Sequence, residues 1–323
     1  MSKPFTSNRL QLIFAALACL ALLASPLSFA QKATSEFRIG FQKAAPLLVL
    51  QKAQGSLEKK LAPLGFSVKW VEFPAGPQLL EGLNVGAVDF GYVGEAPPIF
   101  AQAAGAQFYY IGNDPAAPRA EALVVRHDSP IKSVSELKGK RIALNKGSNV
   151  HYLLVRLLER NGLKLSDVQP VYLAPADARA AFESKSVDAW VIWDPFTAAA
   201  EKQAQARVLA DGTGGVANNF QFYLGARSFV EKNPQVIRAV FEDAVEKGQW
   251  IKAHLHHAAE QLAPLQGLPV EVVELSLHRY EFKVQPLTDA VISEQQKIAD
   301  TFYNLKLIPK AINVKEASWK AGQ

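Results

Sequence analysis

Between Arg141 and Arg160 the chain passes from a short apolar run, residues 141–144, through Asn145-Lys146-Gly147-Ser148 into a segment where Val150, Leu153, Leu154, Leu157 and Leu158 recur at i, i+3, i+4, i+7 and i+8. A run too short for a helix, followed by an apolar repeat of helical period, predicts a strand, a turn and a helix buried along one face. Such a helix packs back onto the sheet its strand joins, which restricts the chain to α/β architectures. The turn also carries chemistry. The first N–H groups of the helix have no internal partners and sit at the positive end of its dipole. Gly147, Ser148 and Asn149 leave that end open to an anion. A Ser148 or Asn149 side chain that merely caps its own helix would use the same residues, and this stretch alone leaves both readings open.

The unit recurs on either side. Toward the N-terminus, strands are expected at 37–41, 66–73, 88–92 and 107–112, with helices from 46 to about 61, at 78–84 and up to 104. Asn113 to Arg119 then holds two prolines among small residues, and 121–126 reads as a crossing strand. A second series has strands at 141–144, 168–173, 187–192 and 207–210, and helices at 175–182 and 196–204. Gly212-Thr213-Gly214-Gly215 closes it, and a strand at 220–226 leads into helices at 234–254, 270–277 and 288–304. Two crossings, near 113–122 and 215–222, imply an inserted domain. Residues 31–117 and 221–323 are expected to form one lobe and 118–220 the other. Each lobe is then a mixed, mostly parallel sheet flanked by helices, with a ligand cleft between lobes where strand carboxyl ends face helix N-termini.

Lys3 and Arg9 precede an apolar run, Leu10 to Leu23, and Ser28-Phe29-Ala30 has the small-x-small pattern of a cleavage site. Residues 1–30 are therefore expected to be a secretory signal, since an apolar core of about 14 residues falls short of the roughly 20 that span a bilayer. The one cysteine, Cys19, lies inside it, where lipid modification is the minor alternative to cleavage. A mature chain starting near Gln31 has no thiol for a disulfide or for nucleophilic chemistry. Loss of Lys3 and Arg9 lowers the formal charge from +5 to +3, too mild for nucleic acid, and no basic run is interleaved with aromatics. A soluble, exported monomer is expected.

Four loops would face the cleft. They carry Gln42; Gly94 and Glu95; Ser148 and Asn149; and Trp193 and Asp194, with Asp194 placed to cap a helix that begins at Pro195. Trp193, with Trp190, Phe196 and Tyr223 nearby, could supply an apolar wall, although large aromatics at such spacing also serve as core. A small molecule with an anionic head and an apolar body fits this set without any arginine. The motifs of an enzyme are missing: there is no Gly-x-Ser-x-Gly elbow, Gly-x-Gly-x-x-Gly or Walker loop. His151 beside the anion site could act as a base but fits a packing role better. His254, His256, His257 and Glu260 are the one ligand-rich cluster, and their spacing suits a solvated helix face as well as a metal. No metal and no cofactor are expected.

The stretches at residues 72–81, 145–154, 175–182 and 189–196 (Ala-Trp-Val-Ile-Trp-Asp-Pro-Phe) closely resemble the periplasmic aliphatic sulfonate-binding proteins of bacterial ABC importers. The resemblance runs from about Ile39 to Pro286. It implies a two-lobed (type II) periplasmic binding protein that carries an alkanesulfonate to a membrane permease. It places ligand contacts on Gln42, the Gly94-Glu95 turn, Ser148, Asn149, Trp193 and Asp194. Glu95 suits an anionic head only if it points away or caps a helix. The wider family also takes taurine, nitrate and thiamine-pyrimidine precursors, so a receptor for one of these, or a pyrimidine-handling enzyme of the same fold, is the alternative.

Overall fold

The computed structural model describes residues 34–319; the expected signal segment and Cys19 lie outside them. Strand β1 (Ser35–Phe41) leads into α1 (Pro46–Gln54) and α2 (Ser56–Leu61). One helix was expected there, but Gly55 takes a left-handed φ of 59° and divides it. Strand β2 (Phe66–Glu72), α3 (Gly76–Asn84), β3 (Phe90–Gly94), α4 (Ala96–Ala103) and β4 (Phe108–Asp114) follow. The chain then crosses over as β5 (Glu121–Val125) and builds β6 (Arg141–Leu144), α5 (Asn149–Arg160), β7 (Gln169–Tyr172), α6 (Pro175–Glu183), β8 (Ala189–Trp193), α7 (Phe196–Gln203) and β9 (Arg207–Asp211). It returns through β10 (Gln221–Ala226) to α8 (Arg227–Lys232), α9 (Pro234–Ala253), α10 (Leu255–Gln266), α11 (Val270–Leu277), β11 (Gln285–Pro286) and α12 (Asp289–Asn304). Helix α10 extends well past the helix face expected around His254 to Glu260. Its buried stripe is largely alanine, Ala258, Ala259 and Ala263, and Pro264 interrupts it, so the apolar period is faint.

The fold is two-lobed, with two mixed sheets flanked by helices. The six-stranded sheet has the order β11-β4-β10-β3-β1-β2, and the five-stranded sheet β7-β6-β8-β5-β9. In the first, β2 and β3 run parallel to β1, while β10 runs antiparallel to both β3 and β4, so four of its strands share one direction. In the second, β7 and β8 run parallel to β6, and β5 is antiparallel to both β8 and β9. The reversed strand shared by these pairings is the one that follows each crossing. Crossover helices keep β1 to β4 parallel in one sheet and β6 to β9 in the other, with the short β11 antiparallel at the edge of the first, so the carboxyl ends of β1, β3, β6 and β8 open toward the same space.

Packing bears out the periodicity of α5. Val150, Leu153, Leu154, Leu157 and Leu158 are all buried, in one core cluster with Leu123 and Val125 of β5 and Ile142 and Leu144 of β6. Each such side chain contributes about 1.5–3 kcal/mol on burial. On the other sheet, Phe37 and Ile39 of β1 pack with residues of α1, α9 and α10. Helix α3 lies close enough that a Cβ at Gly91 would overlap Leu79, so glycine there permits the contact. Among the described residues no helix is long and apolar enough to cross a membrane.

Candidate functional site

A cleft of about 440 Å³, part of it open to solvent, lies where these strand ends meet the N-termini of α1, α3, α4 and α5. Gln42 and Ala45 enter it between β1 and α1, Gly76 at the start of α3, Gly94 at the end of β3, Ser148 and Asn149 at the start of α5, and Trp193 at the end of β8. Ala44, Tyr92, Pro97, Asn219, Gln221 and Tyr280 complete the lining. None of these described lining residues carries a charged side chain.

Of the seven residues singled out from sequence, Gln42, Gly94, Ser148, Asn149 and Trp193 are brought together here. Ser148 does not cap α5 with its side chain; its hydroxyl donates to Asn145 O at 2.7 Å. The Ser148 N–H goes to Asn145 O and the His151 N–H to Ser148 O, which leaves the Asn149 and Val150 amides without partners among the described residues. Those amides are the donors an anion would meet. Asn149 is tied on both sides, accepting from Ala96 N at 3.1 Å and donating to Asn219 Oδ1 at 2.6 Å. Gln42 donates to Tyr92 O at 3.1 Å, and Gln221 to Asn219 Oδ1 at 3.0 Å. The polar lining is thus held in place by its own hydrogen bonds.

Glu95 and Asp194, expected beside the ligand, do not line the cleft; their side chains turn away from it. Both are wholly buried. Glu95 Oε2 accepts from Phe220 N at 2.8 Å, so the carboxyl points at the return crossing rather than at an anion. Burial pushes it up to about 7, against the amide bonds that favour its charged form. Asp194 was expected as an N-cap. The cap position falls instead on Pro195, the Asp194–Pro195 peptide is cis, and Asp194 Oδ1 accepts from Ala198 N at 3.0 Å. Its carboxylate also meets the Arg279 guanidinium at 3.1 Å, yet burial carries it up to about 7.

The aromatic wall is also redistributed. Trp193 lines the cleft with Tyr92 and Tyr280, while Phe196 packs edge-on behind Trp193 at 6.4 Å. Trp190 is core against Phe182, and the Tyr223 hydroxyl turns inward to Asp114. Tyr92 donates to Asp114 Oδ2 at 2.7 Å, and burial lifts Asp114 to about 6. His151 is buried, its Nδ1 accepting from Gly147 N at 3.3 Å, and burial lowers its pKa to about 4. A neutral imidazole that shapes the turn accounts for it. His256 and His257 are exposed and pair with Glu274 and Glu260 at 3.0 and 3.1 Å. Among the described residues no group of three or more potential ligands is placed to hold a metal.

Sequence reasoning missed Asn219, Gln221 and Tyr280, and also Tyr92 of β3. The first two sit in the return crossing and at the start of β10, and Tyr280 in the irregular stretch after α11, where no periodicity or cap signals a role.

Residues 64–258 match the family described as NMT1/THI5 like. Over 308 residues the chain is 44% identical to an aliphatic sulfonates-binding protein of Escherichia coli (strain K12), spanning 94% of this chain and 96% of that one. The chain belongs to the aliphatic sulfonate-binding family. A second member, from Bacillus subtilis (strain 168), is 36% identical over 288 residues, 88% of this chain and 86% of its own. Among solved structures, the alkanesulfonate-binding protein SsuA from Xanthomonas axonopodis pv. citri bound to MOPS superposes with a TM-score of 0.85 at 43% identity, covering 89% of this chain and 99% of that one. These family members are named for binding, and the lining residues here offer amides, hydroxyls and aromatic faces suited to it.

Proposed function

We propose that this chain is an extracytoplasmic solute receptor that closes around an aliphatic sulfonate and delivers it to an ABC permease in the inner membrane. The observation that carries the reading is the uncharged cleft, with the free amides of α5 at one side and Trp193, Tyr92 and Tyr280 as apolar surface. A sulfonate stays ionised throughout the physiological range, so fixed N–H dipoles at a helix start suffice to hold its head, while an alkyl body is worth about 0.8 kcal/mol per buried methylene. Taurine would bring an ammonium that no lining carboxylate is placed to pair, and nitrate has no body for the aromatic faces. MOPS, the molecule bound in the Xanthomonas structure, is itself an alkanesulfonate.

Export through a cleaved signal, with the mature chain beginning near Gln31, belongs to the same reading. So does a division into lobes at 31–117 with 221–323, and 118–220, which the sheets support: the strands of the five-stranded sheet all lie between Glu121 and Asp211. Closure would then turn on the two crossings. The test is thermal-shift screening of the mature protein against alkanesulfonates, taurine, nitrate and pyrimidines, since a ligand that binds the folded state raises stability by RT ln(1 + [L]/Kd). Alkanesulfonates should give the largest shifts. A shift with nitrate or a pyrimidine and none with sulfonates would overturn the assignment.

A further inference from the structure

Arg279 follows α11, on the side of the molecule built around the six-stranded sheet, and reaches two carboxylates on the side built around the five-stranded sheet. Its Nη1 lies 3.1 Å from Asp194 Oδ2 and 3.2 Å from Oδ1, and its Nη2 lies 2.5 Å from Glu201 Oε2. Asp194 is wholly buried, and the Arg279 side chain keeps 16% of its surface exposed. Beside this contact Ala198 and Ala199 of α7 pack with Val272 of α11, a small apolar cluster between the same two sides. Asp194 directly follows Trp193, and Arg279 directly precedes Tyr280, and both aromatics line the cleft. A pairing that joins Asp194 to Arg279 therefore also brings the two aromatic walls together.

We infer that Arg279, with Asp194 and Glu201, is an ionic latch between the lobes that holds the cleft closed and so sets how slowly ligand leaves, without touching the ligand. Arg279 is in this sense a positioning residue. The guanidinium has a second effect, since it neutralises a buried carboxylate that would otherwise sit behind a site for an anion. The latch reads out through ligand release and to that extent rests on the receptor function, whereas its geometry does not.

Interactions between matched charges that survive desolvation act chiefly on dissociation. Stopped-flow binding of ethane-, butane- and octanesulfonate to the mature protein should show koff raised roughly tenfold to a hundredfold in Arg279→Gln, by the same factor for all three ligands, with kon changed less than about threefold. Arg279→Lys should restore part of the loss, because one ammonium replaces a forked contact. Small-angle scattering without ligand should give Arg279→Gln a larger radius of gyration than the wild type. Removing one partner strands a buried charge, so the double variant Asp194→Asn with Arg279→Gln carries the test if the single variant does not fold. A folded variant with wild-type koff overturns the latch. So does a loss graded by chain length, which would make Arg279 part of the ligand wall. If the wild type binds no sulfonate the receptor function fails instead, and scattering alone decides: equal radii for wild type and variant overturn the latch.

Discussion

Asn149 Oδ1 accepts the amide N–H of Ala96 at 3.1 Å, tying the first turn of α5 on one sheet to the first turn of α4 on the other. The two residues are far apart in sequence, and what lets them meet is Gly94, where a Cβ would overlap the Asn149 amide. Gly94 has no positive φ, so its role is space and not backbone freedom. Gly94→Ala is expected to leave the fold intact and weaken alkanesulfonate binding by about tenfold or more, because the approach of the two helix starts is obstructed. Calorimetric titration checks this; an unchanged Kd would show that the approach is not needed for binding.

Ser148 is expected to matter less than its position suggests. Its hydroxyl hydrogen is committed to Asn145 O, so an anion would rely on backbone amides that no side-chain substitution removes. Ser148→Ala should cost less than about tenfold in affinity, the scale of one neutral hydrogen bond. A hundredfold loss in the same titration would mean that the hydroxyl turns to donate to the ligand.

Trp193 should read the apolar body of the ligand. Trp193→Ala is expected to weaken octanesulfonate more than butanesulfonate and leave ethanesulfonate least affected, with steps of up to about 0.8 kcal/mol per methylene that contacted the ring. Equal losses for all three would place the indole at the anionic head.

Buried carboxyls give the fold a pH dependence of definite sign. Glu95, raised to about 7, binds its proton more tightly in the folded chain than in the unfolded one. Its contribution is therefore present in full below the unfolded carboxyl range and is lost as pH rises through 7. Asp114, raised to about 6, and Glu121, pushed well up by burial with Glu95 and Asp211 nearby, act in the same direction. His151, lowered to about 4, acts in the opposite one, its stabilisation lost as pH falls from 6.5 toward 4. Glu95→Gln keeps an acceptor for Phe220 N and removes the titration. Chemical denaturation should show its stability gaining on the wild type by on the order of 1–3 kcal/mol between pH 5 and 8. A difference that stays constant across that range would show that Glu95 is charged throughout.

The periodicity of Val150 to Leu158 and the small residues before it were enough to place a strand, a turn and a buried helix, because helical period and helix-start chemistry are local properties of a few consecutive residues. The alternation of such units, broken by the proline-rich and glycine-rich crossings, likewise announced two sheets, and with them the loops that carry Gln42, Gly94, Ser148, Asn149 and Trp193 to one cleft. Which way a side chain turns at a strand end is not local. Glu95 goes to Phe220 and Asp194 to Arg279, partners 125 and 85 residues away, and only the packed lobes bring those donors within reach. Tyr280 and Asn219 enter the cleft for the same reason: they sit in irregular stretches with no period to read, and their positions follow from where the return crossing places Asn219 and where the chain leaving α11 places Tyr280. Glu95 and Asp194 turn to fixed donors because leaving a buried carboxylate unpaired costs more than one hydrogen bond returns, and where those donors stand is settled by tertiary packing.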